Sequence, residues 1–260
     1  MLREALGIVA TSVALAPALV AAQLADAATR NALGIPGALA ALGIAERPRE
    51  VVRLTGGRSS AVYAVRFERA SVVVKHALAG GSVLALGAKL CGPQPYPIDL
   101  SPAARIRREV AALGILAGAG IVAPRVIAAN PAAGLMLLEL VPGSPLPTTL
   151  AHAGAADRIR AYRRALDAAH AAGLVLNDAH PGNALVDGDR VALIDLEFAE
   201  RSVDLDRRAF DLAYAAAYFT PAERAVFLGE PDLRIAAAAK KLAGYARLFA
   251  YEAGLQRRAA

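Results

Sequence analysis

The segment Leu176–Glu197, LNDAHPGNALVDGDRVALIDLE, places Asp178, Asn183 and Asp195 close together in a chain built largely from alanine, leucine and valine. Two short apolar runs, ALV and VALI, flank an Asp187-Gly188 pair and read as a β-hairpin. A hairpin brings the outer ends of its strands together, so the pattern predicts Asn183 beside Asp195. An amide oxygen and a carboxylate are ligands that magnesium takes, usually with substrate phosphate oxygens completing the octahedron. Asp178, on the loop before Asn183, is placed to orient a hydroxyl and accept its proton. Each aspartate has a plainer use, one capping a turn and the other ending a strand. The spacing D-x-x-x-x-N followed by a strand aspartate is much rarer than either use alone.

Such side chains work only if regular elements hold them. After the charged stretch Glu46–Glu50 the texture changes from alanine-rich to β-branched. VVRLTGGRSSAVYAVRF (51–67) reads as strand, glycine turn and strand, and ASVVVKHA (70–77) as the next strand. Residues 77–100, rich in glycine and proline, read as an insertion with no assignable chemistry. Ser101-Pro102 is a helix start, followed by an apolar stripe of Ile106, Val110 and Leu113 with Glu109 beside it, ending near Gly118–Gly120. Strands are predicted at Arg125–Ala128 and Leu135–Val141, completing a small antiparallel sheet. The remainder is predicted mostly helical: Asp157–Ala172, with Ile159, Tyr162, Leu166 and Ala169 on one face, then Asp206–Phe219 and Pro221–Tyr251.

The chain has 260 residues, 56% of them hydrophobic, enough for a sizeable core. A charge of +6 and a pI near 9.8 suit a phosphate-bearing partner, whether nucleotide, RNA or an anionic membrane surface, although composition bias explains them equally well. The single cysteine, Cys91, excludes an internal disulfide, and the lack of a Cys/His cluster argues against structural zinc. Ala5–Ala25 carries no charge and is long enough to span a bilayer, but alanine dominates it and Pro17 interrupts it. It is expected to pack on the fold as a helix, with a membrane anchor or a signal peptide as the alternatives. Asn31–Ala45, broken by Gly34, Pro36 and Gly37, reads as a short helix and its approach.

From Arg53 to Phe219 the sequence resembles the protein-kinase-like superfamily, in its aminoglycoside phosphotransferase-like branch. LTGGRSSAVYAV is similar to that branch's phosphate-covering loop, VVVK to its lysine strand, RREVAALGILAGAGIVAPRVIAA to its glutamate helix and following strand, and LMLLELVPG to its hinge. DAHPGN and IDLEFA resemble its catalytic and metal motifs, and AFDLA its later aspartate motif. Seven loose matches in the right order are specific together. The resemblance implies an α+β, two-lobed fold: a helical extension at 1–50, an N-lobe at 51–143 with a small antiparallel sheet, one helix and the insertion at 77–100, and a mostly helical C-lobe at 144–260.

It also implies that Gly56, Gly57, Ser59 and Ser60 lie over the nucleotide phosphates. Lys75 would contact the α and β phosphates and pair with Glu109. The Glu139 carbonyl and Val141 N–H would read the adenine edge, with Leu138 behind them. Asp178 would be the catalytic base, Asn183 and Asp195 the magnesium ligands, and Asp211 an anchor for the catalytic loop, while His180 packs or bonds locally. The implied function is ATP- and magnesium-dependent transfer of the γ-phosphate to a hydroxyl of a small molecule or of a protein serine or threonine. The cytoplasm is the expected location, with membrane association through the N-terminal segment as the alternative. In size the chain is similar to minimal atypical kinases, the RIO type and the small kinase of the tRNA-threonylcarbamoylation complex. Leu176, where a histidine is usual, and Leu196 in Asp-Leu-Glu motivate a second expectation, a pseudokinase that binds nucleotide or acts as a scaffold.

Overall fold

The computed structural model of the chain describes residues 34–54, 60–80, 97, 99–245 and 253–254. The run Ala5–Ala25, the loop residues Gly56, Gly57 and Ser59, most of the 77–100 segment and the predicted helix beyond residue 245 therefore lie outside the described residues. Two compact units make up the chain. The first runs to Val110 and takes in Arg125–Leu140; the second holds Ala111–Pro124 and the chain from Val141 onward.

The first unit is built on an antiparallel sheet of β1 (Glu50–Leu54), β2 (Ser60–Arg66), β3 (Ser71–Ala77), β4 (Val126–Asn130) and β5 (Leu135–Glu139), in the order β1-β2-β3-β5-β4. Alternation of side chains along a strand assigns its faces. Val72 and Val74 of β3 join Val65, Phe67, Leu135 and Leu137 in a core closed by Ala38, Leu39 and Leu42, from a short helix α1 (34–41) and its C-terminal turn. Asn130 ties its side-chain amide to the Ala41 carbonyl at 3.0 Å. Lys75, out of phase with those valines, belongs to the other face, opposite Met136 in β5. The predicted strand Leu135–Val141 stops at Glu139, whose N–H donates to the Arg125 carbonyl at 2.9 Å. Pro142, which lacks an N–H, and Gly143 follow and prevent further pairing.

Helix α2 (Pro102–Gly118) starts where Ser101 predicts, the serine Oγ accepting from the Ala104 N–H at 3.3 Å. Its buried residues are Ala104, Arg105, Ile106, Glu109, Ala112, Leu113 and Leu116. Glu109, expected beside the buried face, is inside it, while Val110 is only half-buried.

In the second unit, α3 (Leu146–Thr149) precedes α4 (Ala155–Ala171), which buries the predicted face of Ile159, Tyr162, Leu166 and Ala169. The hairpin consists of β8 (Ala184–Asp187) and β9 (Arg190–Leu193), with β6 (Ser144–Pro145) added along β8. Its turn is Gly188-Asp189, one residue later than expected, because Asp187 pairs with Arg190 and glycine takes the positive φ of 61°. Gly143, at φ 127°, brings its backbone so near β8 that a Cβ there would lie 2.8 Å from the Val186 carbonyl oxygen. A second pair, β7 (Leu174–Val175) with β10 (Glu200–Arg201), brackets the hairpin in sequence.

The chain then enters α5 (Leu205–Ala217), buried from Ala209 to Ala216. The single helix predicted over Pro221–Tyr251 is divided into α6 (Pro221–Leu228) and α7 (Leu233–Leu242). Gly229, at φ 63°, ends the first, and Asp232 caps the second through the Arg234 and Ile235 N–H groups. Among the described residues no helix is long and apolar enough to cross a membrane.

Candidate active site

In the first unit the sheet and α2 bring Lys75 and Glu109 together. Lys75 Nζ donates to Glu109 Oε2 at 2.6 Å, with both side chains almost wholly buried. One turn earlier on α2, the guanidinium of Arg105, fully buried, donates to the Leu78 carbonyl at 2.9 Å and to the Ser60 hydroxyl at 3.0 Å. Arg105 thereby ties the first residue of β2 and the end of β3 to the helix that carries Glu109. Glu139 stands at the end of β5, with Leu138 buried before it; its exposed carboxylate lies 3.7 Å from Arg125.

In the second unit the loop from Leu176 to Asn183 is held from several sides. Asp211 on α5 is buried, and its carboxylate accepts from the Leu176 N–H at 2.7 Å and the Asn177 N–H at 2.8 Å. His170, in the last turn of α4, lies 3.0 Å from the same carboxylate; an ionised carboxylate only accepts, so the ring is the donor. From α4, Tyr162 donates its hydroxyl proton to the Ala179 carbonyl at 3.0 Å. Asn177 takes the left-handed conformation at φ 60°, held by its side-chain amide, which donates to the Phe198 carbonyl at 2.7 Å, and by Arg207, which donates to its side-chain oxygen at 2.9 Å. Arg207 also meets Glu200 at 2.5 Å.

The hairpin ends come together as the spacing predicts. The Ile194 N–H donates to the Asn183 carbonyl at 2.9 Å, which sets Asn183 across from Ile194 with Asp195 next in the chain. Asn183 turns its amide N–H to the Asp178 carbonyl at 3.2 Å. That orientation commits the nitrogen and leaves the oxygen end as the ligating one. Asp195 has φ 58°, the other non-glycine residue with positive φ among those described. Backbone strain of this kind is held only where the surroundings over-determine it, and it concentrates at functional sites.

The electrostatics are those of crowded carboxylates. Asp178 is pushed up to about 7, first by burial and then by Asp195, with a hydrogen bond from Tyr214 pulling the other way and Glu197 and Asp211 adding to the rise. Glu197 is buried, and its carboxylate and that of Asp195 offer oxygens within 4.8 Å of each other. An all-oxygen donor set of closely spaced carboxylates fits a hard divalent cation such as magnesium. His180 is lowered to about 4 by burial, and its Nδ1 accepts from the Gly182 N–H at 2.9 Å. Its ring is therefore neutral near pH 7 and serves to shape the turn.

The sequence matches the phosphotransferase enzyme family (APH) over residues 50–169 and 147–251. The chain belongs to this family. As a member it is a phosphotransferase, and its sheet-and-helix unit followed by a mostly helical unit is the protein-kinase-like architecture. A solved structure of WaaP in complex with acyl carrier protein is 19% identical, aligned over 82% of this chain and 90% of that chain with a TM-score of 0.45. No curated protein matches the sequence.

Lys75 with Glu109, and Asp178 with Asn183 and Asp195, are thus gathered within their own units. Val141 lies two residues past β5 in no regular element, and Ser60 is buried with its hydroxyl against Arg105. Four contributors carried no assigned role from the sequence. Glu197 had a signal, since it lies two residues beyond Asp195 in the Asp-Leu-Glu triplet. Tyr214, three residues after Asp211 on one helical face, had a weaker one. Arg105 and His170 had none, because nothing local says that a helical arginine or histidine will meet its partner in the interior.

Proposed function

We propose that the chain transfers the γ-phosphate of ATP, with magnesium, to a hydroxyl of a small molecule or of a protein serine or threonine. The observation that carries this reading is the second unit's own arrangement. A loop clamped by Asp211 presents Asp178 next to a hairpin end bearing Asn183 and Asp195. Asp178, with its raised affinity for a proton, orients the acceptor hydroxyl and takes its proton. Asn183 and Asp195 hold magnesium, with Glu197 able to share the charge; magnesium supplies neutralisation of the transferring phosphate oxygens. Lys75, fixed by Glu109, engages the α and β phosphates, and Gly56, Gly57 and Ser59 cover them, with Ser60 rooting that loop against Arg105. The Glu139 carbonyl and the Val141 N–H take the adenine edge.

The test uses three full-length proteins: the parent, Asp195→Ala and Asp178→Asn. Binding of a non-hydrolysable ATP analogue is measured by calorimetry with and without magnesium, beside phosphate transfer from labelled ATP. Asp195→Ala is expected to lose magnesium-dependent binding and transfer together. Asp178→Asn is expected to keep analogue affinity within a few-fold while transfer falls by roughly 10²-fold, the scale of a positioned base. Equal transfer by Asp178→Asn and the parent would replace this reading with that of a nucleotide-binding pseudokinase.

A further inference from the structure

Asp178 is held at two levels, and only the first, the backbone grip of Asp211, belongs to the recognised motifs. The second is a pair of tyrosines on the same helix. Asp211, Tyr214 and Tyr218 follow one another at three and four residues, which stacks them on one face of α5 and its C-terminal turn. The Tyr214 side chain makes a hydrogen bond to the Asp178 carboxylate. Its hydroxyl also lies 3.1 Å from that of Tyr218. In the ionised form, the one that acts as base, the Asp178 carboxylate can only accept, so the Tyr214 proton goes to Asp178 and Tyr218 is then the donor to Tyr214. With Asp178 ionised, donation runs along the row from Tyr218 to Tyr214 to Asp178.

Neither phenol has room to swing away. Tyr214 and Tyr218 are each 5% exposed and meet edge to face at 5.5 Å. Phe210 stacks on Tyr214 at 6.2 Å, and the neutral ring of His180 sits edge-on to Tyr218 at 4.2 Å. The loop that carries Asp178 is therefore packed against the row of rings that orients its carboxylate. We infer that Tyr214 is a positioning residue for Asp178, fixing one carboxylate oxygen so that the other faces the acceptor hydroxyl, with Tyr218 setting the Tyr214 proton. This rests on the reading of Asp178 as the base. A carboxylate without this restraint rotates about its side-chain bonds, and the reactive oxygen is correctly aimed for a smaller share of the time.

The experiment compares full-length Tyr214→Phe, Tyr218→Phe and Asp178→Asn with the parent. Magnesium-dependent release of phosphate from ATP is followed against ATP concentration, with thermal melting measured on each protein. Tyr214→Phe is expected to lower kcat by about 10-fold with KM for ATP within about 2-fold, and Tyr218→Phe to lower kcat by about 3-fold, as the proton of Tyr214 loses its direction. A packing role alone would move the melting temperature and leave kcat per folded molecule unchanged. If Asp178→Asn loses activity while Tyr214→Phe keeps the parent kcat, the positioning role is overturned and the base survives. If Asp178→Asn keeps the parent rate, both fall. Should Tyr214→Phe fail to fold, Tyr218→Phe decides alone, parental kcat in the folded variant refuting the inference.

Discussion

Asp178 and His180, two residues apart on one loop, are perturbed in opposite senses, and this has a measurable consequence. Asp178 holds its proton up to about pH 7 in the folded protein but releases it near 3.8 when unfolded, so folding stability is lost as pH rises between those values. His180 resists protonation down to about 4 when folded and accepts it near 6.5 when unfolded, so its contribution is lost as pH falls between those values. Between about pH 4 and 6.5 the two slopes oppose each other. Asp178→Asn removes one of them. Relative to the parent, the variant is expected to gain about 2–4 kcal/mol more at pH 8 than at pH 4, read from urea melts in magnesium-free buffer. It should also lose stability on acidification through the histidine range more steeply than the parent. A stability difference that does not vary with pH would show that Asp178 is not strained by its neighbours.

At the scale of elements, the contact between β3 and α2 turns a buried ion pair into a geometric device. Two charges removed from water contribute little net stability as a pair, whereas one left alone is costly. Glu109→Ala removes the buried carboxylate that pairs with Lys75 and is expected to destabilise the protein by about 3 kcal/mol. Replacing both, as Lys75→Met with Glu109→Leu, should return most of that stability, since similar apolar volumes fill the space without an orphaned charge. Nucleotide use should be lost in both proteins. Chemical denaturation beside phosphate transfer separates the outcomes, and a double variant that regains transfer would remove Lys75 from the phosphate site. Arg105 adds a second tie one turn away, joining α2 to β2 and to the end of β3. Two buried ties from one face of α2, through Arg105 and Glu109, fix its rotation as well as its distance from the sheet.

At the scale of the molecule, the first unit's sheet depends on residues before the change in sequence texture. Leu39 is 1% exposed and packs with Val65, Val72, Val74 and Leu137 on the sheet face opposite Lys75. Leu39→Ala is expected to cost about 2–4 kcal/mol by lost burial and the cavity left behind. Because the sheet carries Lys75, melting should drop together with the affinity for an ATP analogue measured near the transition. A chain shortened to begin at residue 46 should lose the soluble folded form altogether. If it folds with parental stability, α1 is an accessory and not part of the core.

Much of this was legible without coordinates because local rules dominate it. The period of two in β2 and β3, the Ser-Pro start of α2 and the apolar face of α4 each depend on neighbours within a few residues. The hairpin that joins Asn183 to Asp195 is equally local, and even its one-residue turn shift leaves the strand ends in place. Gly229 and Asp232 carry a break signal too, weaker than the alanine-rich pattern around them. Residue types and local pattern alone set the chemistry available, two oxygen ligands, a carboxylate base and a lysine after a valine run, and the order of the elements that bear them. Only the tertiary structure decided that Glu109 and Arg105 are buried in a face of α2, and that His170 takes one side of Asp211. It alone set Tyr214 beneath Asp178. Those contacts join residues between about 25 and 45 positions apart, with His170 and Asp211 separated by 41 and Arg105 and Ser60 by 45. No local preference specifies such pairs; they form because a buried polar group must find a partner, and the packing of whole elements dictates which one is within reach.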